Sequence, residues 1–144
     1  MKIHRLLLMA LLAMAYASTF PTWLTLAQDV SDDLPVVQAV PPAYPLIARV
    51  ANVSGVVVLE VKVGPSGSVK AVRIVEGHKL LSPVSEKAAR KWKFNALDKA
   101  KERRVQLRFE FVLIATNKGT PEDLGLIFWP PHKVEIRDAP YRVD

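Results

Sequence analysis

The sequence predicts an α+β domain of order α-β-β-α-β, with a three-stranded antiparallel or mixed sheet in strand order 2-1-3 and two helices on one face. Three observations carry this expectation. Two segments alternate apolar and polar residues with the two-residue period of half-buried strands: Val57, Leu59, Val61 and Val63 in one, Val105, Leu107, Phe109 and Phe111 in the other. A short turn rich in glycine and proline follows the first of them, as a hairpin requires. Between the two lies a proline-led segment with apolar residues at helical spacing.

Taken in order, Tyr44-Pro45-Leu46-Ile47-Ala48-Arg49-Val50-Ala51 places proline in the first turn of a helix and Leu46, Ile47 and Val50 on one stripe. Gly55 to Val63 is the first strand. In Gly64-Pro65-Ser66-Gly67-Ser68, Pro65 presets φ for the turn and Gly67 is free to take a positive φ, so Val69 to Glu76 returns as the second strand. The second helix is expected over Ser82 to Phe94, capped by Ser82, led by Pro83 and striped by Val84, Ala88 and Trp92. It makes the crossover to the third strand, which lies beside the first and antiparallel to it. Strands two and three are then the edges of the sheet.

The ends of the chain are read separately. Residues 1–27 form a signal peptide or signal anchor. Lys2 and Arg5 precede the apolar run from Leu6, and Ala15-Tyr16-Ala17 has the small-x-small pattern of a cleavage site. The run to Ala27 is also long enough for a membrane tether through residues 6–27. Its second half is diluted by Ser18, Thr19, Pro21, Thr22 and Thr25, which favours cleavage. Residues 28–40 read as a short linker and 41–115 as the domain. Residues 116–144 form a carboxy-terminal extension with one candidate added strand, Val134-Glu135-Ile136-Arg137. Laid beside strand three, that strand would block its edge.

Composition removes several functions. With no cysteine there is no disulfide framework, thiolate metal site or catalytic thiol. His78 and His132 stand far apart without a carboxylate or histidine at metal spacing, so both read as loop histidines, and no metal or other cofactor is expected. Ser85-x-Lys87 lacks the spacing of a serine nucleophile and its base, and Gly64 to Gly67 sits between strands, where it makes a turn rather than a phosphate loop. No enzyme is indicated. Lys plus Arg (20) exceed Asp plus Glu (14), a net +6. A basic patch of Arg90, Lys91, Lys93, Arg103 and Arg104 is therefore a candidate for polyanion contact. Export excludes nucleic acid as its partner.

Five motifs in register carry a resemblance. Tyr44-Pro45, the strand from Gly55 to Val63, the Gly64-Pro65-Ser66-Gly67 turn, Ala89-Arg90-Lys91-Trp92-Lys93-Phe94 and Leu107-Arg108-Phe109-Glu110-Phe111 together resemble the C-terminal domain of TonB-family energy transducers. One departure is Pro41-Pro42-Ala43, which stands where the family often has a polar residue before the Tyr-Pro. The resemblance implies a periplasmic domain, soluble or tethered to the inner membrane. Such a domain captures an extended segment of an outer-membrane transporter or other envelope protein and is linked to energised transport. It also implies the mechanism, strand addition beside strand three, so the expected partner-binding residues are Val105, Gln106, Leu107, Arg108, Phe109, Glu110 and Phe111, with Tyr44 and Pro45. The alternative is an envelope structural or polyanion-binding module using the basic patch. A homodimer formed by exchange of strands is a further possibility.

Overall fold

The computed structural model describes residues 34–96, 101–115 and 123–141. The amino-terminal segment, including the proposed membrane tether, lies outside them. No helix among the described residues is long and apolar enough to cross a membrane.

The first and second strands form as their alternation demands. Strand β2 (Gly55–Val63) pairs antiparallel with β3 (Val69–Glu76). The turn between them is closed by Gly67 N–H donating to the Gly64 carbonyl (2.9 Å) and Gly64 N–H to the Ser68 carbonyl (2.9 Å), with Gly67 at φ +78°. On its other side β2 pairs antiparallel with β5 (Arg103–Leu113), from Gly55 opposite Phe111 to Val63 opposite Arg103. Val57, Leu59, Val61, Val63, Val105, Leu107, Phe109 and Phe111 are all buried. Each large side chain so buried contributes roughly 1.5–3 kcal/mol, which makes this shared face the main source of stability.

Two helices cover that face. Helix α1 (Leu46–Val50) follows Pro45, whose carbonyl accepts from Ala48 N–H and Arg49 N–H. It turns Ala48 inward, fully buried, and leaves Leu46, Ile47 and Val50 exposed, reversing the expected stripe. The reason is steric: only a methyl side chain lets so short a helix approach the sheet. Helix α2 (Ser82–Ala89) buries Ala88 and Ala89, and Trp92 lies just beyond its end. Ser82 does not cap the helix. Its hydroxyl donates to the His78 carbonyl (3.0 Å), and Leu81 occupies the cap position. The helix also ends earlier than expected. Lys91 and Trp92 N–H turn back onto Ala88 and Ala89, and Lys93–Phe94 becomes strand β4, paired with β1 (Val36–Gln38). The end of the presumed linker thus joins the fold, and Leu34 lies in the core cluster.

The sheet is larger than expected. The order β3-β2-β5 is present, but the extension adds two strands where one was the expectation. They are β6 (Gly125–Trp129) and β7 (Lys133–Asp138), and the full order is β3-β2-β5-β7-β6. Strand β7 lies parallel to β5, with Arg108 opposite Lys133 and Leu113 opposite Asp138; β6 pairs antiparallel with β7. Val134 and Ile136 extend the buried face, which explains why β7 takes this place: it covers Phe109 and Phe111 with matching apolar residues.

Three long-range contacts hold the extension. His132 is buried and places Nε2 2.8 Å from the Leu34 carbonyl; since a carbonyl only accepts, Nε2 carries the proton. Arg49 Nε donates to the Ala139 carbonyl (2.8 Å), while its Nη1 lies 3.3 Å from Asp138. Trp92 meets Phe94, Phe109 and Phe128 at ring distances of 6.1, 5.9 and 6.3 Å, and its Nε1 donates to the Val40 carbonyl (2.8 Å).

Candidate protein-binding edges

The direction of each main-chain group follows from two hydrogen bonds. Arg108 N–H donates to the His132 carbonyl (3.0 Å) and Ile114 N–H to the Asp138 carbonyl (2.8 Å). Even-numbered residues of β5 therefore turn their amides and carbonyls away from β2. By the same alternation, even-numbered residues of β7 face β5, and Lys133, Glu135 and Arg137 face β6. Gly125, Ile127 and Trp129 of β6 then bond inward to β7, which leaves the amides and carbonyls of Leu126 and Phe128 directed outward.

The edge of β5 expected to receive a partner is not free. Its outward groups at Arg108 and Glu110 are already opposite β7, so the stretch expected to receive a partner is filled by the protein's own tail. The physical reason is local concentration: a strand in the same chain, anchored through His132 and Arg49, needs no association entropy to occupy the edge. Only Arg104 and Gln106 retain outward groups beyond the start of β7. The side chains of Val105, Leu107, Phe109 and Phe111 point into the core, Glu110 pairs with Lys133 at 2.8 Å, and Gln106 and Arg108 are exposed.

Tyr44 and Pro45 are brought beside the core. The Tyr44 hydroxyl donates to the Val53 carbonyl (2.6 Å), and its ring meets Phe111 edge-on at 5.2 Å. Burial pushes the phenol pKa up, the nearby Asp138 carboxylate adds to this, and the Ser54 hydrogen bond and Arg49 oppose it. The pair closes the turn between α1 and β2, where Asn52 takes φ +52°.

The basic patch is brought together in part. Lys93 faces Ser68 in the hairpin turn, and Arg103 lies opposite Val63 at the foot of the same hairpin. Arg90 is paired with Glu86 at 2.6 Å, and Arg104 reaches Glu60 at 3.9 Å. Lys91 and Lys93 are exposed.

What sequence reasoning missed is β6. Its residues Leu126, Phe128 and Trp129 are 56%, 44% and 50% exposed at the end of the sheet. The signal was present as an apolar run, but nothing in a single run shows which of its sides stays unpaired. The opposite edge, β3, also exposes Ile74 and Val75, but it carries Lys70, Arg73 and Glu76 and two register irregularities, devices that discourage pairing with another chain.

A sheet presenting an apolar terminal strand, with its other edge blunted by charge, has the architecture of a protein-interaction domain. The family model of the Gram-negative bacterial TonB protein C-terminal matches residues 40–113, and the chain belongs to that family. This is a family of non-catalytic, transport-related protein-binding domains of the cell envelope, periplasmic in Gram-negative bacteria. The solution NMR structure of the Pseudomonas aeruginosa TonB CTD is similar at a TM-score of 0.46 and 19% identity, covering 56% of this chain and 86% of that one. No curated protein matches.

Proposed function

We propose that this chain is a periplasmic domain that captures an extended segment of an outer-membrane transporter or other envelope protein by strand addition, and that the segment docks on β6. The observation that carries the reading is the outward pair of residues, Leu126 and Phe128, on a terminal strand whose neighbouring side chains are exposed and apolar. Their two amides and two carbonyls, at a net of roughly 0.5–1.5 kcal/mol each, offer several kcal/mol. Association costs at least about 4 kcal/mol, so the contact is weak and reversible, as a coupling contact must be.

Titration with periplasmic peptides from outer-membrane transporters tests it. Leu126→Pro removes an outward donor and no ladder bond, and is expected to lower affinity about two- to tenfold with little loss of stability. Unchanged binding by that variant refutes docking on β6. A second reading, contact with an anionic envelope polymer, is favoured by the exposed Lys91 and Lys93 beside the hairpin turn. It predicts steep salt dependence and loss of binding on charge reversal at those two residues.

A further inference from the structure

Where β7 begins, β5 continues past it. Beside this step lies a cleft of about 330 Å³ lined by Gln106 and Arg108 of β5 and by residues 129–133 of the β6–β7 corner. That volume is at the lower end of those that hold a small ligand. Gln106 presents its main-chain amide and carbonyl toward the space that β7 leaves empty, and its side chain is exposed. The Pro130–Pro131 corner closes the far end. Two cations stand there. Lys133 is shared with Glu110 at 2.8 Å and lies 5.9 Å above the Trp129 ring, whereas Arg108 is exposed and has no ion pair among the described residues.

We propose that this cleft binds the C-terminal carboxylate of an extended peptide, with Arg108 as its principal anchor. A visiting strand on the Gln106 edge lies in line with β7 and must stop at the Pro130–Pro131 corner. If it runs parallel to β5, as β7 does, its carboxyl end meets the corner. If it runs the other way, its amino end meets the same two cations. Arg108 and Lys133 attract a carboxylate and repel an ammonium, so the local charge selects the parallel direction. A guanidinium is also the side chain best shaped to grip a carboxylate through two parallel hydrogen bonds. Trp129 supplies an apolar wall for the last side chain. This site is separate from the outward groups of Leu126 and Phe128, and it stands or falls independently of docking on β6.

The test is fluorescence anisotropy on the full chain with three labelled pentapeptides rich in valine and threonine: one with a free carboxylate and no acidic side chain, its C-terminal amide, and an amide carrying one glutamate. The free acid is expected to bind about tenfold more tightly than either amide. Arg108→Gln, at an exposed position, should reduce the free acid to the level of its amide, and Gln106→Pro should weaken it by removing the outward donor. Leu126→Pro should leave the preference for the free acid intact. The proposal is overturned by equal binding of acid and amide, by a glutamyl amide that matches the free acid, by a preference that survives Arg108→Gln, or by no binding of any of the three.

Discussion

Replacing Gly67 by alanine should damage the fold more than the addition of one methyl group suggests. Gly67 stands at φ +78°, and a Cβ there would lie 1.9 Å from the Phe94 carbonyl oxygen and 2.9 Å from its carbon. Both are main-chain atoms, so β4 has to move. That movement strains the hydrogen bond from Phe94 N–H to the Gly67 carbonyl (2.8 Å) and disturbs the buried Phe94 and Trp92 rings. Left-handed backbone costs a non-glycine residue about 1–2 kcal/mol. A lost hydrogen bond adds about 1 kcal/mol. The reduced freedom of the unfolded chain returns somewhat under 1 kcal/mol. The net loss is about 1–2 kcal/mol, an appreciable share of the roughly 5–15 kcal/mol typical of a domain. Urea unfolding followed by tryptophan fluorescence should show the midpoint falling by about 0.5–1 M, given a slope of about 1–3 kcal/mol/M. Gly64→Ala is the matched control, because its Cβ meets only the Lys70 side chain, at 2.7 Å from Cε, and that exposed chain can swing away. A midpoint for Gly67→Ala within about 0.3 M of the parent, or an equal loss in Gly64→Ala, would sink the reasoning.

Two further predictions concern titration. Burial raises the Tyr44 phenol above its ordinary pKa of 10.0, so the folded chain holds that proton more tightly than the unfolded chain. Its contribution is complete below pH 10 and declines as pH rises toward the folded value; Tyr44→Phe should flatten this alkaline decline and, by losing the bond to Val53, cost about 1 kcal/mol at neutral pH in chemical denaturation. Glu135 behaves in the opposite sense. The hydrogen bond from Arg137 (2.6 Å) holds its carboxyl below the ordinary 4.5, so its contribution is present above that value and is lost as pH falls through the folded pKa. Thermal unfolding between pH 3 and 6 should show a shallower acid decline in Glu135→Gln than in the parent, and identical slopes would contradict the assignment.

Most of the core was legible because strand alternation is a local signal. Val57 to Val63 and Val105 to Phe111 alternate so regularly that one face had to be buried, and the residues on it are the ones the structure buries. The turn at Gly67 was legible for the same reason. Helix α1 was not, since Leu46, Ile47 and Val50 outrank Ala48 on any hydrophobic count; only the closeness of helix and sheet decides for the methyl group. The end of α2 was hidden because Trp92 fits the helical stripe whether or not the helix continues, and β4 exists only through pairing with residues some fifty-five positions earlier. The tail is the largest miss. Val134 to Arg137 read correctly as a strand, but its parallel place beside β5 depends on anchors at Leu34 and Arg49 that no local pattern reveals.

The place of the tail alters what the domain can do with a partner. Uncovered, β5 would turn five residues outward, Arg104, Gln106, Arg108, Glu110 and Val112; β7 fills the last three of these positions. The new terminal strand offers outward groups at only two, Leu126 and Phe128. At roughly 0.5–1.5 kcal/mol for each main-chain bond, the exchange removes several kcal/mol from any strand added to this sheet. Discrimination on β6 must therefore come from side chains. Leu126 and Phe128 lie on the face of Val134 and Ile136, whereas Trp129 lies on the opposite face with Lys133 and Glu135, so a visiting strand meets an apolar surface on one side and an indole flanked by charge on the other. A segment that alternates aliphatic residues with polar or acidic ones satisfies both faces, and shifting its register by one residue reverses every contact. Peptides of the same composition but shifted alternation should thus separate in affinity on β6, even though their main-chain bonds are the same.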